Sequence, residues 1–490
     1  MRSSRVWLIS CVALALVVAV LSVQPLRRIN ERVSIDYNEG WNALHTERLW
    51  TGQPLYRFDS EFMFNNYPPL SFVVVGAVGQ VTGDNVIAGR WISLCALLVT
   101  AILIGAITIR ATRNGPAGAL AAILFLCTLF FYGSGYVAMN DPQMLAHALA
   151  TGGLAALLWN DKPTARSVIA ASLLMVAAGF IKHNLLALPA AVTLWLLLFN
   201  RRLLVPWIAT SAVAVIVGMS VCYATFGQSF FRSLLGHHRR SDLELLAQNV
   251  RLILVPVAAI IAIPLAGSLC GNRNSKFSLL LLYIAMSTLL GMAISGGFGV
   301  DRNAFFDLFI GGSAATVIAM EYLAGMAPAS LRVRAETALC CILIVPFVLT
   351  VPPEAMASLR IVKEFPTFAQ QSAADVAYLA EHKQEAMCET LALCYWAHAK
   401  PEVDYFNAGE AMATRFLDEQ ELVKLVREHR FSVIQTENSE GRSWRLPPAV
   451  NEAILSSYEI ARVSPFSGAY LVPRSQQFVS STSAAPPQSL

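Results

Sequence analysis

The chain has 490 residues, of which 56% are hydrophobic and only 14% charged, with a mean hydropathy of +0.54. Soluble domains carry roughly 25% charged residues, so this composition excludes a wholly soluble protein and describes one embedded in a membrane. The net charge of +4 is too small to imply a nucleic-acid partner.

The apolar residues come in blocks. MRSSR leads into WLISCVALALVVAVLSV. That run exceeds the roughly 7–15 residues of a signal-peptide core, and no A-x-A-like site follows, so it reads as a retained first span. A span needs about 20 mostly apolar residues. Eleven are expected, at 6–23, 89–109, 117–137, 142–159, 167–182, 185–200, 203–226, 251–270, 277–297, 305–324 and 337–352. Basic pairs recur at alternate ends: Arg2/Arg5, Arg110/Arg113, Lys162/Arg166, Arg201/Arg202, Arg273/Lys276 and Arg332/Arg334. Lys and Arg stay cytoplasmic in short loops, which places the N-terminus inside. Arg27, Arg28 and Arg32 run against this scheme. They fall in the first outer loop, 24–88, whose length weakens the rule.

The expected architecture is a polytopic α-helical membrane part over 1–352, then a small extracytoplasmic α/β domain over 353–475 and a low-complexity, disordered tail over 476–490. DEQELVKLVREH (418–429) reads as a helix capped by Asp418, with Glu421 three residues on. FSVIQTE, YEIARVS and GAYLVPR read as strands. No internal repeat is visible.

Cys11, Cys95, Cys127, Cys222 and Cys270 sit singly in or beside apolar runs, as small core residues do. Cys388 and Cys394, in CETLALC, fall outside under this topology, where disulfides form. Six residues rise about 9 Å in a helix and about 20 Å in a strand. A disulfide needs Cα atoms about 4.4–6.8 Å apart. A bond therefore requires a turn between the two; the alternative is a pair of buried free thiols.

The same topology gathers unusual residues on the outer side: Asp36 and Glu39, Asn140-Asp141-Pro142, Lys182-His183-Asn184, Asp301-Arg302-Asn303, and QSFFRSLLGHHRRSDLELL (228–246) with His237, His238, Arg239 and Arg240. Ionisable groups near bilayer depth are costly and mark pathways or sites. Each also has a structural reading. Asp36 is a solvated loop acid, Asp141 caps span four ahead of Pro142, and Lys182 snorkels to the interface. The 228–246 stretch is an interfacial amphipathic helix whose basic cluster meets anionic headgroups. Glu321, near the inner end of span ten, is structural.

The first loop reads D-Y-N-E-G-W, then TGQPLYRFD (51–59), NNYPPLSF (65–72) and AGRWISLCALL (88–98). This series resembles the first-loop signature of the GT-C membrane glycosyltransferases of the protein O-mannosyltransferase and aminoarabinose transferase type. There an acid follows span one, then a G-x-x-x-Y and a Y/H/K-P-P-L, and a helix opening with AR re-enters the membrane. NDP at 140–142, GFIKHNLLALP at 179–189 and GVDRNAFFDLF at 299–309 resemble that family's later outer turns. The resemblance spans about residues 5–330. Two departures separate this chain from either subgroup. Tyr67 stands where aminoarabinose transferases carry Lys, and Asp36 is followed by Tyr37, not by a second acid.

The resemblance implies a transferase that moves a sugar from a polyprenyl-phosphate carrier to an envelope lipid, glycan or protein outside the cytoplasm, with inversion at the anomeric carbon. The implied setting is a bacterial-type inner membrane. A carboxylate within hydrogen-bond reach suits removal of the acceptor's proton, and Asp36 is the candidate, with Asp141 orienting the acceptor. Lys182, Arg302 and the His237–Arg240 cluster would hold the phosphate. Glu39, Tyr56, Tyr67, His183 and Asn303 would support the acceptor. Asp36, Asp141 and His183 could ligate a divalent metal, though their spacing is not diagnostic. No other cofactor is indicated. The rival readings are a flippase for lipid-linked sugars, which wants mid-bilayer charges and matching halves, a non-catalytic scaffold, and a metal-dependent hydrolase.

Overall fold

The computed structural model describes residues 2–57, 62–236, 239–272, 274–382 and 385–474. His237, His238 and the expected disordered tail lie outside the described residues. The helices are α1 (Arg2–Arg28), α2 (Tyr37–Trp50), α3 (Leu70–Thr82), α4 (Asn85–Thr112), α5 (Gly115–Tyr132), α6 (Gln143–Leu158), α7 (Ala165–Ile181), α8 (Ala187–Phe199), α9 (Arg201–Phe226), α10 (Gln228–Leu235), α11 (Leu243–Leu269), α12 (Ser275–Ile294), α13 (Phe306–Met326) and α14 (Arg332–Glu381).

Each of the eleven expected spans coincides with one of these helices. Seven helices are long and apolar enough to cross a membrane among the described residues: α1, α4, α5, α9, α12, α13 and α14. Helices α6, α7 and α8 are shorter. The shortening has a local cause at the polar turns. Pro142 closes the start of α6, and α7 stops at Lys182, whose backbone is extended at φ −146°.

Side-chain caps set several helix starts, since the first backbone N–H groups of a helix lack internal partners. Asn114 caps α5, Thr164 and Ser167 form a reciprocal capping box on α7, and Asp242 caps α11. Apolar faces of α1, α4, α5, α6, α13 and α14 then close around Trp7, Phe125, Leu154, Phe309 and Leu343.

Two expectations change here. The 228–246 stretch is not one interfacial helix. Helix α10 ends at Leu235, α11 begins at Leu243, and between them Ser241 forms a β-bridge with Gly297. The boundary at 352/353 falls inside α14, a continuous 50-residue helix that contains Pro346, Pro352, Pro353 and Pro366. Interior prolines remove a hydrogen bond and crowd the preceding turn, so the sequence signals a stop. Packing along α1 overrides it: Arg27 lies 5.3 Å from the Phe365 ring, and Ser372 Oγ donates to Arg32 O.

Beyond α14 come β1 (Glu385–Cys388), α15 (Leu391–Trp396), β2 (Lys400–Pro401), α16 (Tyr405–Ala413), α17 (Glu419–Arg427), β3 (Val433–Thr436), α18 (Pro448–Ser457), β4 (Tyr458–Ser464) and β5 (Gly468–Pro473). The strands form a mixed sheet in the order β2-β1-β3-β5-β4, with β1 parallel to β2 and β3, and β5 antiparallel to β3 and β4. Helix α17 is the capped helix expected at 418–429; Asp418 accepts from Gln420 N. The sheet does not keep its core to itself. Cys388, Leu391, Trp396 and Tyr470 share one cluster with Trp41, Tyr56, Phe72 and Val86 of the first loop and α4.

Candidate functional site

Asp36 is the N-cap of α2. Its backbone is extended and its Oδ1 accepts from Asn38 N at 2.9 Å. The side chain is half-buried. Burial pushes its pKa above the usual carboxylate value; the Asn38 N–H counteracts this, the charges of Glu39 and Asp141 add to it, and Arg445 opposes it. A carboxylate shifted upward is a stronger base.

Glu39, one turn on, has a different environment. It and Arg90 are both 0% exposed. Arg90 donates through Nε to Oε1 at 2.8 Å and through Nη2 to Oε2 at 2.7 Å. Ile35 N and Asn140 N bond the same carboxylate, at 3.1 Å each. The remaining Arg90 donors reach the carbonyls of Arg28, Glu31 and Val33. This saturated pair ties the first loop to α4 and to the Asn140 turn. The contacts of Glu39 in the structure are thus with Arg90 and with the backbone of the loop and the Asn140 turn.

The Asn140 turn carries Asp141 into place. Asn42 Nδ2 donates to Asn140 O at 3.0 Å, and a Cβ at Gly89 would stand 1.7 Å from Asn140 Oδ1, so only glycine admits the turn. Asp141 Oδ1 accepts from Gln143 N at 2.7 Å and from Lys182 Nζ at 3.1 Å. Capping and ion pairing thus coexist in one carboxylate. Lys182 does not snorkel: it is 4% exposed and lies 5.2 Å from the centroid of the Tyr67 ring. Tyr67 is held by Tyr56, whose hydroxyl donates to Tyr67 O at 2.8 Å. Tyr56 therefore acts on the Tyr67 turn from within a buried aromatic cluster with Phe226 and Phe230. Tyr136 stands within electrostatic reach of Asp36, Tyr67, Asp141 and Asp301, which joins these groups into one polar region.

The other expected residues border it. His183 is exposed and lines a recess of about 340 Å³ with Pro68, Phe180 and Phe230. An apolar groove of about 960 Å³ runs between α3, α7 and α9, beginning at Pro69 and Leu70 beside Tyr67. Arg302 donates to Tyr132 O at 3.2 Å, and Asn303 Oδ1 accepts from Asp301 N, a local contact that shapes the turn. Arg239 lies 5.8 Å from the Phe406 ring and within electrostatic reach of His183 and Tyr37. Arg240 instead pairs with the buried Glu410 of α16 at 2.6 Å, which engages it in docking the C-terminal region.

Five side chains were not singled out from the sequence: Arg445, Gln143, His147, Asp307 and Tyr283. Arg445, beyond β3, is held by Glu389 at 2.6 Å and Glu437 at 2.8 Å and lies 5.7 Å from the Tyr37 ring. Beneath Asp141, Gln143 Nε2 meets His147 Nε2 at 2.7 Å, and His147 Nδ1 stands 3.5 Å from Asp307 Oδ1, which accepts from Tyr283 Oη. The i, i+4 spacing of Gln143 and His147 on an apolar helix was the one available signal. Cys388 and Cys394 are joined, with Cα atoms 6.3 Å apart; the strand β1 ends at the first and α15 turns back with the second. Among the described residues no three His, Cys, Asp or Glu side chains converge to hold a metal ion. Asp36, Asp141 and His183 are not such a group.

No protein-family model matches the chain, and no curated protein matches it in sequence. Solved structures match it in fold. ArnT from Cupriavidus metallidurans bound to undecaprenyl phosphate aligns with a TM-score of 0.58 at 14% identity, covering 98% of this chain and 99% of its own. The oligosaccharyltransferase of Archaeoglobus fulgidus in its apo form gives 0.55 at 10% identity, over 96% of this chain and 75% of its own. AglB from the same organism, in complex with an inhibitory peptide and a dolichol-phosphate, gives 0.53 at 12% identity, over 87% and 69%. The match to ArnT over nearly the full length of both chains, and the matches to the archaeal oligosaccharyltransferase and AglB, show that this chain shares their fold.

Proposed function

We propose that this protein transfers a sugar from a polyprenyl-phosphate carrier to a hydroxyl of an envelope lipid or glycan on the extracytoplasmic side of a bacterial-type inner membrane. The acceptor oxygen attacks the anomeric carbon, and its proton passes to Asp36. The carbon–oxygen bond to phosphate breaks, the electron pair stays on the phosphate, and the configuration inverts. The phosphate gains a negative charge. Lys182 is the ammonium placed to stabilise it, with Arg239 and Arg302 at the border and Asp141 fixing the position of the ammonium.

One observation carries the reading: the buried Asp141–Lys182 pair stands beside Tyr67, within electrostatic range of Asp36, and the turn that bears Tyr67 runs on into Pro69 and Leu70, which line an apolar groove. A polyprenyl chain needs an apolar path and a phosphate needs a cation, and the Tyr67–Leu70 turn links the two. ArnT bound to undecaprenyl phosphate and AglB with dolichol-phosphate share the fold, which supports the same class of donor. The disulfide supports an oxidising compartment for the C-terminal region, in keeping with a cytoplasmic N-terminus and an outer face that collects the polar turns.

The test is reconstitution in lipid vesicles with a panel of polyprenyl-phosphate sugars and an envelope-lipid extract as acceptor, comparing wild type with Asp36→Asn and Asp141→Asn. Sugar transfer by wild type and its loss in Asp36→Asn are expected. Undiminished transfer by both variants would remove the mechanism.

A further inference from the structure

The C-terminal region meets the site through a short segment closed by the Cys388–Cys394 disulfide. Three sets of contacts converge there. First, Gly40 of α2 packs against its backbone: a Cβ at Gly40 would stand 2.0 Å from Ala392 N. Gly40 lies one helical turn beyond Asp36, so the approach is made to the turn that Asp36 caps. Second, α15 grips the start of α4. Trp396 Nε1 donates to Asp84 Oδ2 at 3.0 Å, and Asn85 N donates to Tyr395 Oη at 2.9 Å. Third, Glu389, the residue after Cys388, accepts from Arg445 Nη1 and from Ser443 Oγ, and its other oxygen accepts from Glu437 N at 2.8 Å. Arg445 then lies against Tyr37, the first residue of α2.

We propose that the disulfide-closed segment and Arg445 together form a positioning clamp on α2, which sets where the Asp36 carboxylate stands relative to the Asp141–Lys182 pair. The inference rests on the reading of Asp36 as the base. Arg445 is a positioning residue: it acts through Tyr37 and the first turn of α2. A disulfide suits the task because it restricts the six-residue excursion between strand and helix, so Glu389 and the Ala392 backbone keep one relation to each other. The clamp joins residues near 40 to residues near 390 and 445, and adds to the hold that Glu39–Arg90 and the Trp41–Phe64 hydrogen bond already have on α2.

Hydrogen exchange of the full-length protein in detergent tests this without a substrate. Arg445→Met, which leaves the disulfide intact, and the pair Cys388→Ala/Cys394→Ala are each expected to raise amide exchange over residues 38–46 at least tenfold. Exchange over α12 is expected to stay at the wild-type level. Should the cysteine pair also lose protection in β3 and β5, the Arg445 variant decides. Unchanged exchange over 38–46 in that variant overturns the clamp. In transfer assays the same variant is expected to lower kcat about tenfold with the donor KM within twofold, and Arg445→Lys to restore part of it. Faster exchange with unaltered transfer would leave the clamp standing and remove Asp36 from the chemistry, so the two ideas fail separately.

Discussion

Two buried ion pairs, Glu39–Arg90 and Asp141–Lys182, occupy neighbouring parts of the molecule and differ in how far their charges are satisfied. The first is closed. Its carboxylate receives Arg90 twice and two backbone N–H groups, and its guanidinium reaches three further carbonyls. The second is open. Its carboxylate receives Lys182 once, at 3.1 Å, and one backbone N–H, that of Gln143, and the ammonium lies against the Tyr67 ring. A closed pair gives up its charge to structure; an open pair keeps charge available for a ligand. The lesson is that the partners of an acid in a membrane protein, more than its position, separate framework from site.

The contrast can be tested at each end. Asp36→Asn has the largest expected effect. Asn caps a helix about as well as Asp, so folding is retained, while transfer falls by roughly 10²–10⁴, the contribution of a general base; initial rates at saturating donor measure it. Arg90→Met comes next. It strands a buried carboxylate at a cost of about 3–5 kcal/mol, read as a lowered midpoint of thermal unfolding in detergent. Lys182→Met breaks the open pair, and the comparison requires its loss to fall on chemistry: a decrease in kcat of roughly 10²–10³, as for removal of an electrostatic stabiliser. Its unfolding midpoint should fall less than that of Arg90→Met, and the reverse order would erase the distinction between the pairs.

The smallest effect is on pH dependence. Burial raises the Asp36 pKa, and the reaction needs the carboxylate, so transfer is lost as pH falls through the folded-state value. The acid limb of kcat/KM therefore lies above the ordinary carboxylate region near about 4. Stability has the opposite sign. The folded state holds this proton more tightly than the unfolded chain, so its contribution is present at low pH and is lost as pH rises through that same window. An acid limb at or below the ordinary value would count against Asp36 as the base.

Much of the site was legible because its markers are local. Asp141 and Lys182 each fall at a turn between apolar blocks, and those blocks located the helices that flank them, whereas α2, which Asp36 caps, lies in the first loop and was not expected as a helix. What was illegible is long-range. Glu39 and Arg90 stand 51 positions apart, and no rule of spacing pairs an acid in a loop with an arginine in the helix opening AGRW. Arg445 and Tyr37 meet across more than 400 positions of chain. Strands β1 and β2 are four and two residues long, too short for an alternating pattern to register. In α14 the sequence gives a stop signal at Pro352-Pro353 that the packing against α1 defeats.

That continuous helix has a mechanical consequence. At 50 residues α14 is about 75 Å long, more than twice the roughly 30 Å of hydrocarbon. Its far end is bolted to the sheet: Asp375 accepts from Arg462 at 2.6 Å and from Ser464 and Ser467. Such a rod transmits torsion as well as height. One residue inserted beyond Pro353 would rotate the sheet by about 100° while lifting it only about 1.5 Å. Seven residues would return it to within about 20° of its original azimuth at a lift near 10 Å. Angular phase, far more than standoff, is therefore what the residue count of this stretch sets.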